Sequence, residues 1–411
     1  MSSRQKGTRS RGNIAALCVL WLCSLGNIGC EGPPPLSEEA ELQQLWRQAV
    51  LPAGAIAESI YPLLRGSQAV VSQAYPGELP ALLALQLVDG QLNWRSTNGL
   101  DSSQLYYNLQ PAVLGNRLIL PHGSRTTAID FRDGQVRWEF VPQGSAEQFI
   151  ETLDGRSVLQ AVNDWEGRIS HFYRLDVRTG KAAAVFSQPW PDSAKLLLRS
   201  PVAVGRGRVL FTSIAQYRPE WKTVARWHIL DLTVGRMIAE GEAYPENTHG
   251  FGVTKQPVIA NDLALLMAYD QLVCLDHRQG EVRWRTPLPR DMLSSAPLVE
   301  GQAVYCALED GYLYKLSLAD GHILWKSELS GTPSRLACCG SHLFVIGGGD
   351  GMLYTFDTAD GRRIRRMHAP NHYYRRNEFF RRFIGADCRQ GRLLLFDGHS
   401  FRCYSLYPGE G

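Results

Sequence analysis

One strand–turn–strand signature ending in glycine recurs along almost the whole of this 411-residue chain, at Gly90, Gly134, Gly180, Gly235, Gly280, Gly321 and Gly361. Successive glycines lie 44, 46, 55, 45, 41 and 40 residues apart. That period belongs to a propeller blade and not to a helical or leucine-rich repeat. The residues before each turn alternate in apolar character, as a strand does. Asp130, Asp176, Asp231, Asp276 and Asp357 end that strand, where a carboxylate accepts turn N–H groups. The glycine supplies the positive φ of a tight hairpin. Four residues later comes Trp94, Trp138, Trp284 or Trp325, an aromatic suited to pack between adjacent sheets. The copies at Gly180, Gly235 and Gly361 carry Ala184, Ala239 and Arg365 there. Those copies are expected to dock less well, or to use neighbours such as Phe186.

The copy around Gly321 displays four strands, at 296–299, 303–308, 312–318 and 322–327, rich in β-branched and aromatic residues. An eighth unit supplies only three, at 383–387, 393–396 and 401–406. Its fourth is expected from the other end of the chain. Leu45-Trp46-Arg47-Gln48 resembles the outer strand Arg283-Trp284-Arg285-Thr286, and each is followed by Leu-Pro and a proline-containing inner strand. The fold expected is therefore all-β: an eight-bladed β-propeller of four-stranded antiparallel blades, its last blade closed by the N-terminal strand carrying Trp46. Such closure leaves no free sheet edge. A helix over 37–50 competes locally, with helix formers and an acidic first turn. The reading adopted is a short helix followed by the strand.

Arg4, Lys6, Arg9 and Arg11 precede an apolar run of 12 residues, 14–25. The run is too short to span a bilayer comfortably. The following Asn27-Ile28-Gly29-Cys30 completes the layout of a secretory signal peptide. A cysteine directly after a small residue resembles the bacterial lipoprotein signal, in which it is lipidated and becomes the mature N-terminus. Asn27 departs from that pattern, which prefers an aliphatic residue, and an ordinary secreted protein is the alternative. The organisation expected is a signal peptide at 1–29, a tether and short helix at 30–44, and the propeller at 45–411. Glu31-Gly32-Pro33-Pro34-Pro35 should be extended and stiff. Cys274, Cys306, Cys338, Cys339, Cys388 and Cys403 show no metal-site spacing; the expected compartment permits disulfides, and most of the six read as small buried hydrophobes. A net charge of +3 gives no reason to expect nucleic acid.

The repeated Asp-x-x-(Thr/Asp)-Gly-x-x-x-Trp resembles the repeats of quinoprotein-type (PQQ-repeat) propellers, over about residues 45–407. That family holds pyrroloquinoline-quinone (PQQ) alcohol and sugar dehydrogenases and a non-catalytic group typified by BamB, a lipoprotein of outer-membrane β-barrel assembly. The leader, the mature length and the eight blades make the chain similar to the second group. The resemblance implies a periplasmic, lipid-anchored scaffold that binds protein partners, with no cofactor; which membrane leaflet holds the anchor is left open. The first alternative is a PQQ-dependent dehydrogenase with Ca²⁺, whose carboxylate and amide ligands and catalytic Asp find no counterpart here. The second is a cell-surface sensor or adhesion module.

Several constellations remain. In the dehydrogenases a disulfide between adjacent cysteines stacks on PQQ; Cys338-Cys339 is a lone pair of this kind and is read as structural thiols. His249, His368 and His372 lack a metal-binding spacing. Gly347-Gly348-Gly349-Asp350-Gly351 joins two strands and is a hairpin rather than a phosphate loop. The stretch 361–382 holds eight arginines against Glu378, with interleaved aromatics, and can be either an interface or a solvated outer strand. Second-to-third turns and blade-to-blade connections emerge on one face of a propeller. Three unusual long loops, 215–223, 242–255 and 369–382, are expected there, where binding residues tend to sit. The partner-binding residues expected are Tyr217, Arg218, Trp221, His249, Tyr373, Arg375, Arg376, Arg381 and Arg382, on a monomeric propeller without catalysis.

Overall fold

The computed structural model describes residues 42–49, 62–73, 80–97, 111–122, 125–217, 222–247, 256–268, 270–290, 292, 295–370, 379–381 and 384–406. They form 32 strands in eight four-stranded antiparallel sheets. Seven sheets take four consecutive strands, giving blade 1 (63–96), blade 2 (112–140), blade 3 (145–189), blade 4 (194–247), blade 5 (258–287), blade 6 (298–328) and blade 7 (337–367). Blade 8 takes Ile384–Asp387, Arg392–Phe396 and Ser400–Ser405, then Gln44–Ala49 as its outer strand. The expected N-terminal closure is present. Gln44–Ala49 is strand, so the competing helix does not extend over those residues; 37–41, like the leader and Cys30, lie outside the described residues.

The core is divided into eight apolar clusters, one at each joint between neighbouring blades. Blade 1 shows how one strand serves two joints. Val71, Leu83 and Leu85 pack toward blade 8, while Val70, Leu82 and Ala84 pack toward blade 2. The third strand, Ala81–Gln86, is therefore apolar on both faces and does not alternate. Alternation belongs to the outer strands, as in Glu281–Pro287, which have one face in solvent.

The Trp and Gly of the repeat meet across the joints. Each indole lies on the turn glycine of the following blade: Trp46 on Gly90, Trp94 on Gly134, Trp138 on Gly180, Trp284 on Gly321 and Trp325 on Gly361. Its N–H donates to a carbonyl of that same turn, at 2.8 Å from Trp46 to Leu87 O and 3.0 Å from Trp94 to Phe131 O. A Cβ on Gly90 would stand 2.5 Å from the Trp46 ring, and the glycine has φ +75°. The position is thus excluded to other residues by both backbone and packing.

The three joints without Trp differ. Ala239 packs on Gly280. Between blades 3 and 4, Phe186 joins Phe172 and Phe211, the last two edge to face at 4.9 Å. Between blades 7 and 8, where Arg365 is buried, Cys339 is disulfide-bonded to Cys388. This corrects the reading of Cys339 as a structural thiol: the ends of two inner strands from adjacent blades bring the Cα atoms of Cys339 and Cys388 to 5.3 Å. Cys274, Cys306 and Cys403 are buried free thiols, as expected.

Candidate functional site: a raised rim on blades 3 and 4

Blades 3 and 4 have strands of eight to twelve residues, against three to seven elsewhere. All the surplus lies on one face. At the end carrying the repeat turns, Ser157 pairs with Asp176 and Arg208 with Asp231, just as Arg117 pairs with Asp130 in blade 2. The extra rungs therefore rise on the other face, where second-to-third hairpins and blade connections emerge. The 55-residue interval from Gly180 to Gly235, the longest between repeats, is the sequence trace of this elevation.

A buried polar network welds the two blades beneath the rim. Asn163 Nδ2 donates to Glu147 Oε1 at 2.8 Å, and its Oδ1 accepts the Leu198 amide at 3.0 Å. Ser170 Oγ lies 2.7 Å from Asn163 Oδ1 and accepts the Trp190 indole N–H at 2.8 Å. Burial raises the Glu147 carboxyl, opposed by Arg199 and Asn163. Such a network is stable only when its members are all paired.

The rim's surface follows from the blade 3 hairpin. Asp164 Oδ1 accepts the amides of Glu166 and Gly167 at 3.1 and 2.9 Å, and Arg168 takes φ +51°. This turn presents Trp165, 44% exposed despite its size. Its ring meets Trp190 edge to face at 5.4 Å, and Lys195 Nζ from blade 4 stands 4.5 Å from its centroid. Tyr217, half-buried, pairs with Ala194 and with Lys222, one rung beyond the Lys195–Gln216 pair. The structure thus brings Tyr217 near an aromatic–cation pair that the sequence reading missed. Its signal was available: an aromatic inside the hairpin Asp164-Trp165-Glu166-Gly167, where polar residues are usual.

Arg381 lies elsewhere. Its amide donates to Phe396 O at 2.8 Å, beside the second-to-third hairpin of blade 8. Blade 8 stands opposite blade 4 in a ring of eight, so Arg381 and Tyr217 do not share a patch. Arg218, Trp221, His249, Tyr373, Arg375, Arg376 and Arg382 lie outside the described residues. Of the arginine-rich stretch, Arg362, Arg363 and Arg366 are exposed on the outer strand of blade 7, whereas Arg365 is buried.

The buried titratable groups are structural in character. His228 stacks on Phe211 at 4.7 Å, with Nε2 2.7 Å from Ser213 Oγ and Nδ1 3.1 Å from Glu240 Oε2. Burial brings its pKa down to about 4 against the pull of Glu240, so the ring is neutral near pH 7. On the innermost strands, Glu151 accepts the Ala203 amide and, at 3.1 Å, Gln256 Nε2; burial lifts its pKa to about 7. Gln256 also borders a cavity of about 250 Å³ with Pro257, Pro297 and Arg335. The rim's exposed chemistry, an indole with a cation beside it, is that of binding.

The family model described as outer membrane protein assembly factor BamB matches residues 39–181 and 225–377. The stretch between the two matches holds Trp190, Lys195 and Tyr217, three of the four rim residues named above. Among solved structures, the chain is similar to BamB from Moraxella catarrhalis, at 18% identity and TM-score 0.47, over 69% of this chain and 77% of that one. It is similar to the computationally designed Ika8 protein, at 11% identity and TM-score 0.61, over 88% and 99%. It is also similar to Saccharomyces cerevisiae Sqt1, at 9% identity and TM-score 0.56, over 90% and 97%. No curated protein matches it. A propeller built on this repeat, matched by that model over most of its length, belongs to the family of the outer membrane protein assembly factor BamB.

Proposed function

We propose that this chain is an exported, lipid-anchored, non-catalytic propeller that binds a protein partner through the rim of blades 3 and 4, in the assembly of outer-membrane proteins. The observation that carries the reading is Trp165, a largely exposed indole held by Trp190 and Lys195 on a rigid, raised edge. Interface anchors have this character: an aromatic whose conformation is fixed before the partner arrives. Family membership supports the biological setting. The leader and the Cys339–Cys388 bridge support an oxidising compartment outside the cytoplasm. The same bridge speaks against a PQQ enzyme, since Cys339 is bonded to Cys388 and not to its neighbour Cys338.

The test is affinity capture of the full chain from membranes, with mass spectrometry, comparing wild type with Trp165→Ala and Lys195→Glu. The reading expects envelope assembly proteins on wild type and their loss from both variants at unchanged melting temperature. Undiminished capture by both variants would remove the rim from the reading. Palmitate labelling abolished by Cys30→Ala would support the anchor, and labelling of that variant would refute it.

A further inference from the structure

The opposite face carries a second feature, which the rim does not use. Turns of blades 2 and 3 on that face, first-to-second as well as repeat turns, border an open cavity of about 590 Å³ lined by Arg117, Arg132, Arg156, Arg178 and Asp176, with Leu114 and Val177. The carboxylates beside it are already engaged. Asp130, 1% exposed, takes Arg117 Nη1 at 2.6 Å and Arg132 Nε at 3.1 Å, and also meets Arg137. Asp176 accepts the Thr179 amide and hydroxyl at 2.8 and 2.7 Å. Arg156 and Arg178 are exposed, and neither has an ion-pair partner among the described residues. Four guanidiniums thus line one small space against two carboxylates, Asp130 bonded to Arg117 and Arg132 and Asp176 beside Arg178, which leaves an excess of positive charge.

We infer that this cleft is an oxyanion site for a phosphate group. A carboxylate offers two oxygens and one charge, enough for one or two guanidinium forks. A phosphate offers three or more oxygens and up to two charges, which suits convergence from four. The N-terminal strand gives the group a source. Ser405 donates its amide to Gln43 O and pairs with Arg392 as Asp130 pairs with Arg117, so Gln44–Ala49 starts on this same face. An anchor at Cys30 would bring phospholipid headgroups within reach of the ring, and they are the source proposed. Only that choice of source rests on the anchor; the phosphate chemistry does not.

The experiment is calorimetric titration of the full chain in non-ionic detergent with inorganic phosphate, and vesicle flotation with phosphatidic acid against phosphatidylcholine. Saturable phosphate binding is expected, at least tenfold weaker in R156A/R178A and unchanged in R389A, an exposed arginine of blade 8. Flotation of the Cys30→Ala chain with phosphatidic acid that falls when R156A/R178A is added assigns the phosphate to lipid; phosphate binding without it assigns a soluble ligand. Absence of saturable binding, equal loss in R389A, or tighter binding of a polyglutamate peptide would overturn the site. Loss of phosphate binding with partner capture intact separates this failure from failure of the rim.

Discussion

Trp46 pairs with Cys403 in one sheet although 357 residues and the full circumference of the ring separate the two along the chain. This pairing of Gln44–Ala49 with Ser400–Ser405 is the seam of the propeller, and from it the Trp46 indole reaches onto Gly90, the turn glycine of blade 1. Arg402 supports it by donating to Gln44 Oε1 at 2.6 Å, and Arg47 by donating to Ser400 Oγ at 2.9 Å. Trp46→Ala should cost about 3–5 kcal/mol, since it empties a joint and orphans the Leu87 carbonyl. Gly90→Ala should cost about 1–3 kcal/mol through positive φ and collision with the ring. The two losses should be non-additive, because each disrupts the same contact. Urea unfolding of both variants and the double variant measures this; strict additivity would disprove the contact.

The Cys339–Cys388 bridge replaces a Trp–Gly contact at the joint of blades 7 and 8. It closes a loop of 49 residues, for which its removal should cost about 2–4 kcal/mol. Reductant should lower the melting temperature of wild type and leave that of Cys388→Ser unchanged. Identical responses to reductant would show that the bridge contributes nothing.

The ring and its seam were legible because they rest on local rules repeated in phase: an aspartate, a turn glycine and a Trp four residues later. Trp46 could be placed from its neighbours alone, since Leu45–Gln48 copies Arg283–Thr286. The bridge was not legible, because Cys339 and Cys388 become neighbours only once adjacent inner strands align. The rim was half legible. The long interval to Gly235 was visible, but whether its extra residues formed loops or longer strands depended on the Asn163 network, which has no local pattern. Tyr217 was found from its long connection, and Trp165 was missed inside a short hairpin.

Glu151 should make stability depend on pH with an uncommon sign. Its folded pKa, about 7, exceeds that of the unfolded chain, so the folded state binds more protons between about pH 4.5 and 7. Its contribution is full below that window and is lost as pH rises through 7. His228 acts oppositely between about pH 4 and 6.5, where the unfolded state takes up the proton. The Glu151→Gln variant isolates the first effect. Its melting temperature should gain on wild type between pH 5 and 8; a constant difference would show that Glu151 does not titrate there.

Asn163 should hold the rim in place. The side chain is 1% exposed and bonds to Glu147, Ser170 and both polar groups of Leu198. Asn163→Ala leaves those groups buried without their partner and should cost about 2–3 kcal/mol. The damage should be local, because each joint has its own apolar cluster. Hydrogen exchange by mass spectrometry should quicken at 165–170 and 194–198 and stay unchanged in blades 5 to 7. Partner capture should fall with it, since Trp165 is aimed by the hairpin that Asn163 ties to blade 4. Faster exchange with undiminished capture would mean that rigidity of the rim is not what the partner reads; uniform quickening around the ring would mean that the blades do not behave as separate layers.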